Sequence, residues 1–151
     1  MFDFLGFTHY CARTRRGKFK LGRKTASKKF RAKARELNDW LRRVRNAVKL
    51  SQWWPVFKQK LVGHYRYYGI SGNYRALRAY YTLASKLAYK WINRRSQKIS
   101  YTFAKYLRLL AYDPLPKPRI YHSTYTLSPV RGSTTEEPYA GKPHVRFCEG
   151  H

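Results

Sequence analysis

Acidic residues are scarce in this sequence: 7 Asp and Glu stand against 33 Lys and Arg in 151 residues, a formal net charge of +26. Such a charge opposes compaction unless polyanions lie beside the cations, which favours nucleic acid as the partner. Paired-carboxylate catalysis and metal-dependent nucleotidyl transfer are excluded on this count, because both need acids that converge on one point. The acids before residue 123 are instead scattered: Asp3, Glu36, Asp39 and Asp113.

Cysteine and long apolar runs are also scarce. Cys11 and Cys148 lie near opposite ends of the chain and predict no disulfide framework, which suits a reducing compartment. No stretch approaches the roughly 18 apolar residues that cross a bilayer, and the first residues do not have the pattern of a secretory signal. No set of His and Cys has zinc spacing. We therefore expect a cytoplasmic protein with no membrane partner and no cofactor in this chain.

What the sequence does contain is a large aromatic and apolar share, 17% and 43%, with 4 Trp, 14 Tyr and 8 Phe. This is too much for a disordered basic chain, so we expect a packed core. The excess positive charge lies entirely before residue 123, since residues 123–151 carry three acids and three bases. Clustered Ser, Thr, Pro and Gly without periodicity predict that 123–151 is a disordered tail.

The residue pattern predicts a mainly α protein in which a short β-hairpin precedes about four helices. Alternating residues at 2–10 and 18–21 flank a turn at 13–17, which is typical of a hairpin. Two short strands are not stable alone in water, so the apolar face of the hairpin needs a cover. From Ser27 to Val48, apolar residues recur at intervals of three and four and predict the first helix.

Proline, glycine and asparagine mark the ends of the later helices. Pro55 suits the first turn of the second helix, and Gly69 suits its end. Asn73 is expected to cap the third helix, which extends to about Lys98. The fourth helix begins at residue 100 or 101 and ends at Tyr112, before a proline-rich segment.

Two cationic clusters are candidates for phosphate contacts. In the first helix, cations spaced by three and four residues form a line of about 27 Å beside the apolar face: Arg31, Arg35, Arg42, Arg45 and Lys49. The second cluster surrounds the hairpin tip and its exit: Arg13, Arg15, Arg16, Lys18, Lys20, Arg23, Lys24, Lys28 and Lys29. Arginine forks fit phosphates, and Gly17 and Gly22 would let an RNA backbone approach closely. The alternative for the first cluster is an ordinary solvated helix face. The alternatives for the second are a soluble turn and a nuclear-targeting basic run.

A third candidate is the junction of the second and third helices, where aromatic, cationic and glycine residues interleave. Aromatic faces can stack on unpaired bases. Arg66 and Tyr67 are the binding candidates, because they point away from the apolar face of the helix. Tyr65 and Tyr68 lie on that face and are interpreted as core, and His64 as a packing or surface residue.

Several segments together resemble the C-terminal part of a bacterial group II intron reverse transcriptase and maturase. Phe4-Leu5-Gly6-Phe7 resembles the start of the last conserved palm block, and Gly17-Lys18-Phe19 with Arg23-Lys24-Thr25 resembles the strand and exit that follow. The segments His64–Asn73, Trp91 with 94–98, and 115–120 resemble the maturase-specific thumb, called domain X. Their order and spacing agree across residues 2–122.

The resemblance implies a palm-derived hairpin remnant at 1–26 and a domain X thumb at 27–122, with 123–151 as an unmatched tail. Such a thumb grips intron RNA during splicing and holds the template-primer duplex during reverse transcription. Cations in or beside the matched segments therefore join the RNA-binding candidates: Arg75, Arg94, Arg95 and Lys98. The Tyr-Ala-Asp-Asp block, the fingers and the endonuclease segments are absent, so a fragment without catalytic residues is expected. Any Mg²⁺ would belong to the missing palm or to the RNA.

These observations predict an RNA-binding module that assists the splicing of a group II intron and is not an enzyme. One alternative is half of a split RNA-directed DNA polymerase, in which Phe2, Phe4 and Phe7 dock a separate fingers and palm chain. The other is a general nucleic-acid-coating protein, similar to small basic ribosomal proteins.

Overall fold

The computed structural model describes residues 1–95 and 101–123. Three strands precede four helices in these residues, as the mainly α prediction requires. The predicted tail lies outside the described residues from 124 onward. In chain order the elements are β1 (Phe2–Phe4), β2 (Phe7–Arg13), β3 (Phe19–Thr25), α1 (Ser27–Ala47), α2 (Leu50–Tyr68), α3 (Tyr74–Asn93) and α4 (Phe103–Tyr112).

The strands form one antiparallel sheet in the order β1-β2-β3. The predicted hairpin is the β2–β3 pair, in which Phe7 lies opposite Thr25. The prediction missed β1, which pairs with β2 through a two-residue turn at Leu5 and Gly6. Both turn residues have positive φ, 51° and 86°, as hairpin turns of this length require. Leucine rarely adopts that conformation, so Leu5 does not mark a turn in the sequence.

The second helix begins earlier than the sequence predicts. Pro55 lies in the second turn of α2, because the helix already starts at Leu50. The Trp53 N–H donates to the Lys49 carbonyl at 3.1 Å and closes the first turn. The N–H that proline lacks would have met the carbonyl of Ser51, an exposed residue, so water can serve that carbonyl.

The third helix ends at Asn93 rather than near Lys98, and Lys98 itself lies outside the described residues. The Asn93 side chain accepts a hydrogen bond from the Tyr101 N–H at 3.1 Å. Asparagine side chains compete with the helical backbone for such partners, which favours a helix end here. The fourth helix follows Thr102, whose hydroxyl caps it, and ends at Tyr112 as predicted.

The core lies among α1, α2 and α3. The apolar face predicted for α1 is buried at Leu37 and Leu41. Tyr106 of α4 and Leu115 after it close one side. The remaining core side chains come from two helices: Trp53, Trp54, Phe57, Leu61, Tyr65 and Tyr68 of α2, and Leu77, Tyr80, Ala84, Ala88, Trp91 and Ile92 of α3.

Asn73 joins the sheet to the helices. It stands at the predicted N-cap of α3, but its side chain makes no capping bond. Instead its Oδ1 accepts from the Thr25 N–H, and its Nδ2 donates to Thr25 Oγ1 and to the Tyr68 carbonyl, each at 2.8 Å. The residue is buried. The ends of β3 and α2 and the start of α3 are therefore held at one point.

Candidate nucleic-acid interface

The cationic line of α1 is shorter than predicted. Arg31, Arg35 and Arg42 are exposed and recur at helical spacing beside the buried face. Lys49 does not belong to the line, because α1 ends at Ala47 and Lys49 is the extended residue before α2. From Arg31 to Arg45 the line is about 21 Å long at a rise of 1.5 Å per residue.

At the N-terminal end of this line, the fold brings together cations that are far apart in the sequence. A cavity of about 480 Å³ is lined by Tyr10 of β2, Lys24 of β3, Arg31 of α1 and Arg75 of α3. We call it the phosphate groove. Its lining residues include no Asp or Glu. Lysine and arginine side chains around an acid-free concavity concentrate positive potential and attract phosphate.

At the other end of the line, three cations converge on one indole ring. The charged groups of Arg45, Lys90 and Arg94 lie 4.7, 5.0 and 5.7 Å from the ring centroid of Trp91. These four residues form the Trp91 cluster. Trp91 Nε1 donates to Asn38 Oδ1 at 2.9 Å, which fixes the orientation of the ring.

Arg45 is only partly available as the phosphate contact that the sequence predicts. Its Nη1 donates to the Arg94 carbonyl at 2.9 Å, and its guanidinium packs on Trp91. Its Nε is buried and has no hydrogen-bond partner among the described residues. Each cation gains about 0.5 to 2 kcal/mol from the ring. Among the described residues no carboxylate forms an ion pair with any of the three, so a phosphate placed beside them would meet cations that no acid already pairs with.

The hairpin tip presents exposed cations, as predicted. A tight turn holds Arg15 and Arg16 at the tip, where Gly17 has a φ of 79°. Arg13 and Lys18 flank the turn and are also exposed. The tip extends cations from the sheet without burying any of them.

Gly22 has a different role from the predicted one. A Cβ at this position would lie 2.4 Å from the ring of Tyr10. The glycine therefore makes room for Tyr10, which covers the backbone that RNA was expected to approach. Lys24 Nζ lies 5.5 Å from the centroid of the same ring. The pair contributes to the wall of the phosphate groove.

The remaining predicted cations do not all lie on this face, since Lys29 lines a cavity on another side of α1. Lys28 and Lys29 are exposed in the first turn of α1, and Arg95 is exposed after α3. Arg23 is half-buried in β3. Lys98 falls outside the residues that the structure describes.

Tyr67 fastens the sheet to α2. Its hydroxyl donates to the Leu5 carbonyl at 2.9 Å, and its ring stacks on Phe7 with centroids 6.0 Å apart. The side chain is still 55% exposed, so part of the ring faces solvent, as does Arg66. The interpretation of Tyr65 as a core residue is confirmed.

His64 is a buried packing residue. Its ring stacks on Tyr80 with centroids 3.6 Å apart and an interplanar angle of 8°. Burial, with a smaller contribution from the charge of Lys33, lowers the pKa of His64 to about 4. The imidazole is therefore neutral near pH 7. Its Nδ1 is buried without a hydrogen-bond partner among the described residues.

The carboxylates do not gather at one place. Glu36 pairs with Lys33 at 2.8 Å and Asp113 pairs with Lys58 at 2.5 Å, while Asp3 lies in β1. Within residues 1–95 and 101–123, no three His, Cys, Asp or Glu side chains form a group that could hold a metal ion. In the same residues, each helix is too short or too polar to cross a membrane.

Sequence reasoning did not identify Tyr10, Lys90 and Trp91 as parts of the cationic face. Trp91 belongs to an apolar helical pattern, and nothing local indicates that Arg45 reaches it. The only local signal was the placement of Lys90 and Arg94 one residue before and three after the ring.

No family model, no curated protein and no solved structure matches the chain.

Proposed function

We propose that this chain binds RNA through a cationic face that extends from the phosphate groove along α1 to the Trp91 cluster. The observation that carries the proposal is the convergence of Arg45, Lys90 and Arg94 on one tryptophan. Among the described residues these three cations have no ion-pair partner. A phosphate backbone bound beside them would pair with them and release counterions.

Within this proposal, the RNA is a group II intron, and the chain assists its splicing as a maturase thumb does. The support is the resemblance of residues 2–122 to that family, together with the cationic face. The chain would act in the cytoplasm by phosphate contacts and RNA shape, with no catalytic step of its own. Mg²⁺ would serve the folding of the RNA.

A salt titration of RNA binding tests the proposal. Fluorescence anisotropy would compare a structured group II intron RNA with an unrelated duplex of equal length between 50 and 200 mM salt. We expect tighter binding of the intron RNA and a steep loss of affinity with salt. Equal affinities and equal slopes would indicate a coating protein, and no binding at 150 mM salt would overturn the proposal.

A matched pair of variants connects the binding to the Trp91 cluster. Lys90→Gln with Arg94→Gln removes two charges from the cluster, and we expect about tenfold weaker binding, or about 1.4 kcal/mol. Lys86→Gln with Lys105→Gln removes the same charge from exposed positions of α3 and α4. If both pairs weaken binding equally, the cluster has no special part in it.

The split-polymerase alternative is favoured by one feature of the sheet. Phe2, Phe4 and Phe19 are 60, 59 and 72% exposed. Pairing places Phe2 opposite His9 and Phe19 opposite Arg13, so these side chains share one face of the sheet. Exposed aromatic patches of this kind mark docking surfaces.

Phe7 lies opposite Phe4 on the same face of the sheet, but it is not part of the exposed surface, although the sequence predicts it there. Its ring packs on Tyr67 and Tyr68, with centroids 6.0 and 5.3 Å away. Co-expression with a separate fingers and palm chain, followed by a primer-extension assay, separates the two functions. Extension that requires both chains would replace the non-enzymatic proposal.

A further inference from the structure

A second and larger cavity opens on the side of α1 away from the cationic line. Its volume is about 720 Å³, within the usual range for small-molecule sites. We call it the Lys33 groove. Three helices and the turn between β1 and β2 contribute its lining: Leu5, Gly6, Lys29, Lys33, Glu36, Leu37, Lys60, Gly63, His64, Tyr67, Tyr68 and Tyr80.

The floor of the Lys33 groove is apolar and aromatic. Leu37, Tyr68 and Tyr80 are each less than 5% exposed and line its interior. His64 lies among them, 8% exposed, and its Nδ1 has no hydrogen-bond partner among the described residues. The floor is therefore formed by buried aromatic and apolar side chains.

The rim of the groove is cationic. Lys29, Lys33 and Lys60 line it, and Glu36 is the one acid among its lining residues. Glu36 is already engaged by Lys33 Nζ at 2.8 Å. Lys60 Nζ lies 5.0 Å from the ring centroid of Trp40, which holds this lysine beside α1. The charge that remains at the rim is suited to an anionic group.

Gly63 is an exposed residue in the lining of the groove. It lies inside α2, where glycine costs about 1 kcal/mol relative to alanine. A Cβ built at this position meets no atom within 4 Å, so no packing constraint requires glycine. A longer side chain there adds bulk to the lining of the groove, so residue 63 is a place to alter the groove without disturbing the core.

We infer that the Lys33 groove binds a nucleotide, with the base on the aromatic floor and the phosphate at the lysine rim. An inorganic anion would gain nothing from the apolar floor, and an apolar ligand would gain nothing from the lysines. A planar heterocycle that carries a phosphate satisfies both. The nucleotide can be free, or it can be one unpaired residue of an RNA.

Calorimetric titration at 150 mM salt tests the inference with the four nucleoside monophosphates AMP, GMP, CMP and UMP. Inorganic phosphate and the corresponding nucleosides are titrated as controls, because each is one part of a nucleoside monophosphate. We expect at least one monophosphate to bind tenfold or more tightly than phosphate and than its own nucleoside. Binding of all the probes with the affinity of phosphate would overturn the inference.

Two variants at one position localise the binding. Gly63→Leu adds a bulky side chain to the lining of the groove, whereas Gly63→Ala adds only a methyl group. Alanine and leucine have similar helix propensities, so both variants should be at least as stable as the parent chain. We expect Gly63→Leu to weaken nucleotide binding tenfold or more and Gly63→Ala to preserve it. Equal affinities of the two variants would place the ligand elsewhere and refute the groove.

An RNA arm distinguishes the source of the nucleotide. A hairpin with a single bulged 2-aminopurine is compared with its fully paired counterpart. A change in probe fluorescence and a preference for the bulge, both lost in Gly63→Leu, indicate a residue turned out of RNA. Monophosphate binding without this preference indicates a free nucleotide. The fully paired hairpin has no unpaired nucleotide, so its binding tests the cationic face alone. The groove proposal and the RNA-binding proposal can therefore be refuted independently.

Discussion

Replacing Arg35, Arg42 and Arg45 by glutamine gives the most direct measurement of the cationic line. Arg35 and Arg42 are exposed and have no hydrogen bond or ion pair with another described residue. Arg45 packs on Trp91 and donates to the Arg94 carbonyl. Substitution of Arg35 and Arg42 should therefore change RNA affinity alone, whereas substitution of Arg45 should also change the stability of the fold.

The expected magnitude follows from counterion release. Each lost phosphate contact reduces the slope of log affinity against log salt by about 0.7 to 0.9, so the triple variant should lose about 2 to 3. Raising the salt from 50 to 200 mM weakens the binding of both chains. The factor of this loss should be roughly 20 to 40 times smaller for the triple variant than for the parent chain. Arg35→Gln with Arg42→Gln should show about two thirds of the change in slope.

The assay is fluorescence anisotropy with intron RNA, and circular dichroism reports the helix content. A control with equal loss of charge replaces Lys86, Lys105 and Arg108, which are exposed on α3 and α4. Arg45→Gln alone should also cost about 1 to 2 kcal/mol of stability, because its ring contact and hydrogen bond are lost. An unchanged salt slope in the triple variant, with helicity retained, would refute the phosphate contacts along α1.

Three further predictions concern the fold that supports this face. Asn73→Ala should lower the free energy of unfolding by about 2 to 4 kcal/mol in urea denaturation, because the buried Thr25 N–H loses its acceptor; a loss under about 1 kcal/mol would contradict the joint at this position. The folded-state pKa of His64, about 4, lies below the usual 6.5, so the unfolded state binds the extra proton between these values. The free energy of unfolding should therefore be highest above pH 6.5 and fall by up to about 3 kcal/mol towards pH 4. If the urea midpoint of His64→Phe shows the same pH dependence, the titration of His64 is not its cause. Gly22→Ala should destabilise the hairpin by about 1 to 3 kcal/mol, since its methyl group overlaps the Tyr10 ring; faster proteolysis in β2 and β3 is the readout, and unchanged protection would contradict the contact.

The parts of the fold that the sequence predicted are those governed by local spacing. The recurrence of apolar residues in α1 identified the face that buries Leu37 and Leu41. Gly69 and Tyr112 end α2 and α4 as expected, because a glycine and a proline-rich segment follow from local backbone restrictions. Pro55 was misplaced, since tertiary packing extends α2 ahead of a residue that a helix tolerates poorly.

The candidate site was only half predictable, because its charges are local but their convergence is not. The cations of α1 recur at helical spacing, so their common side is visible in the sequence. Arg45 and Arg94, however, are 49 positions apart and meet through the packing of α1 on α3. The same holds for the phosphate groove, which draws one cation from each of three elements. Spacing within a helix cannot reveal a contact made between helices.

Within the chain itself, the positive charge has almost no counterpart. The described residues contain two ion pairs, Lys33 with Glu36 and Lys58 with Asp113, whereas the whole chain carries 33 Lys and Arg. The aromatic core must therefore stabilise the fold against repulsion that seven acidic residues are too few to cancel. External phosphates can cancel it, and a ligand that binds only the folded state adds about 2.7 kcal/mol at one hundred times its Kd. If the chain binds RNA as we propose, binding and folding stability are coupled. Each cation removed from the cationic face should then weaken RNA binding and reduce the repulsion in the free protein.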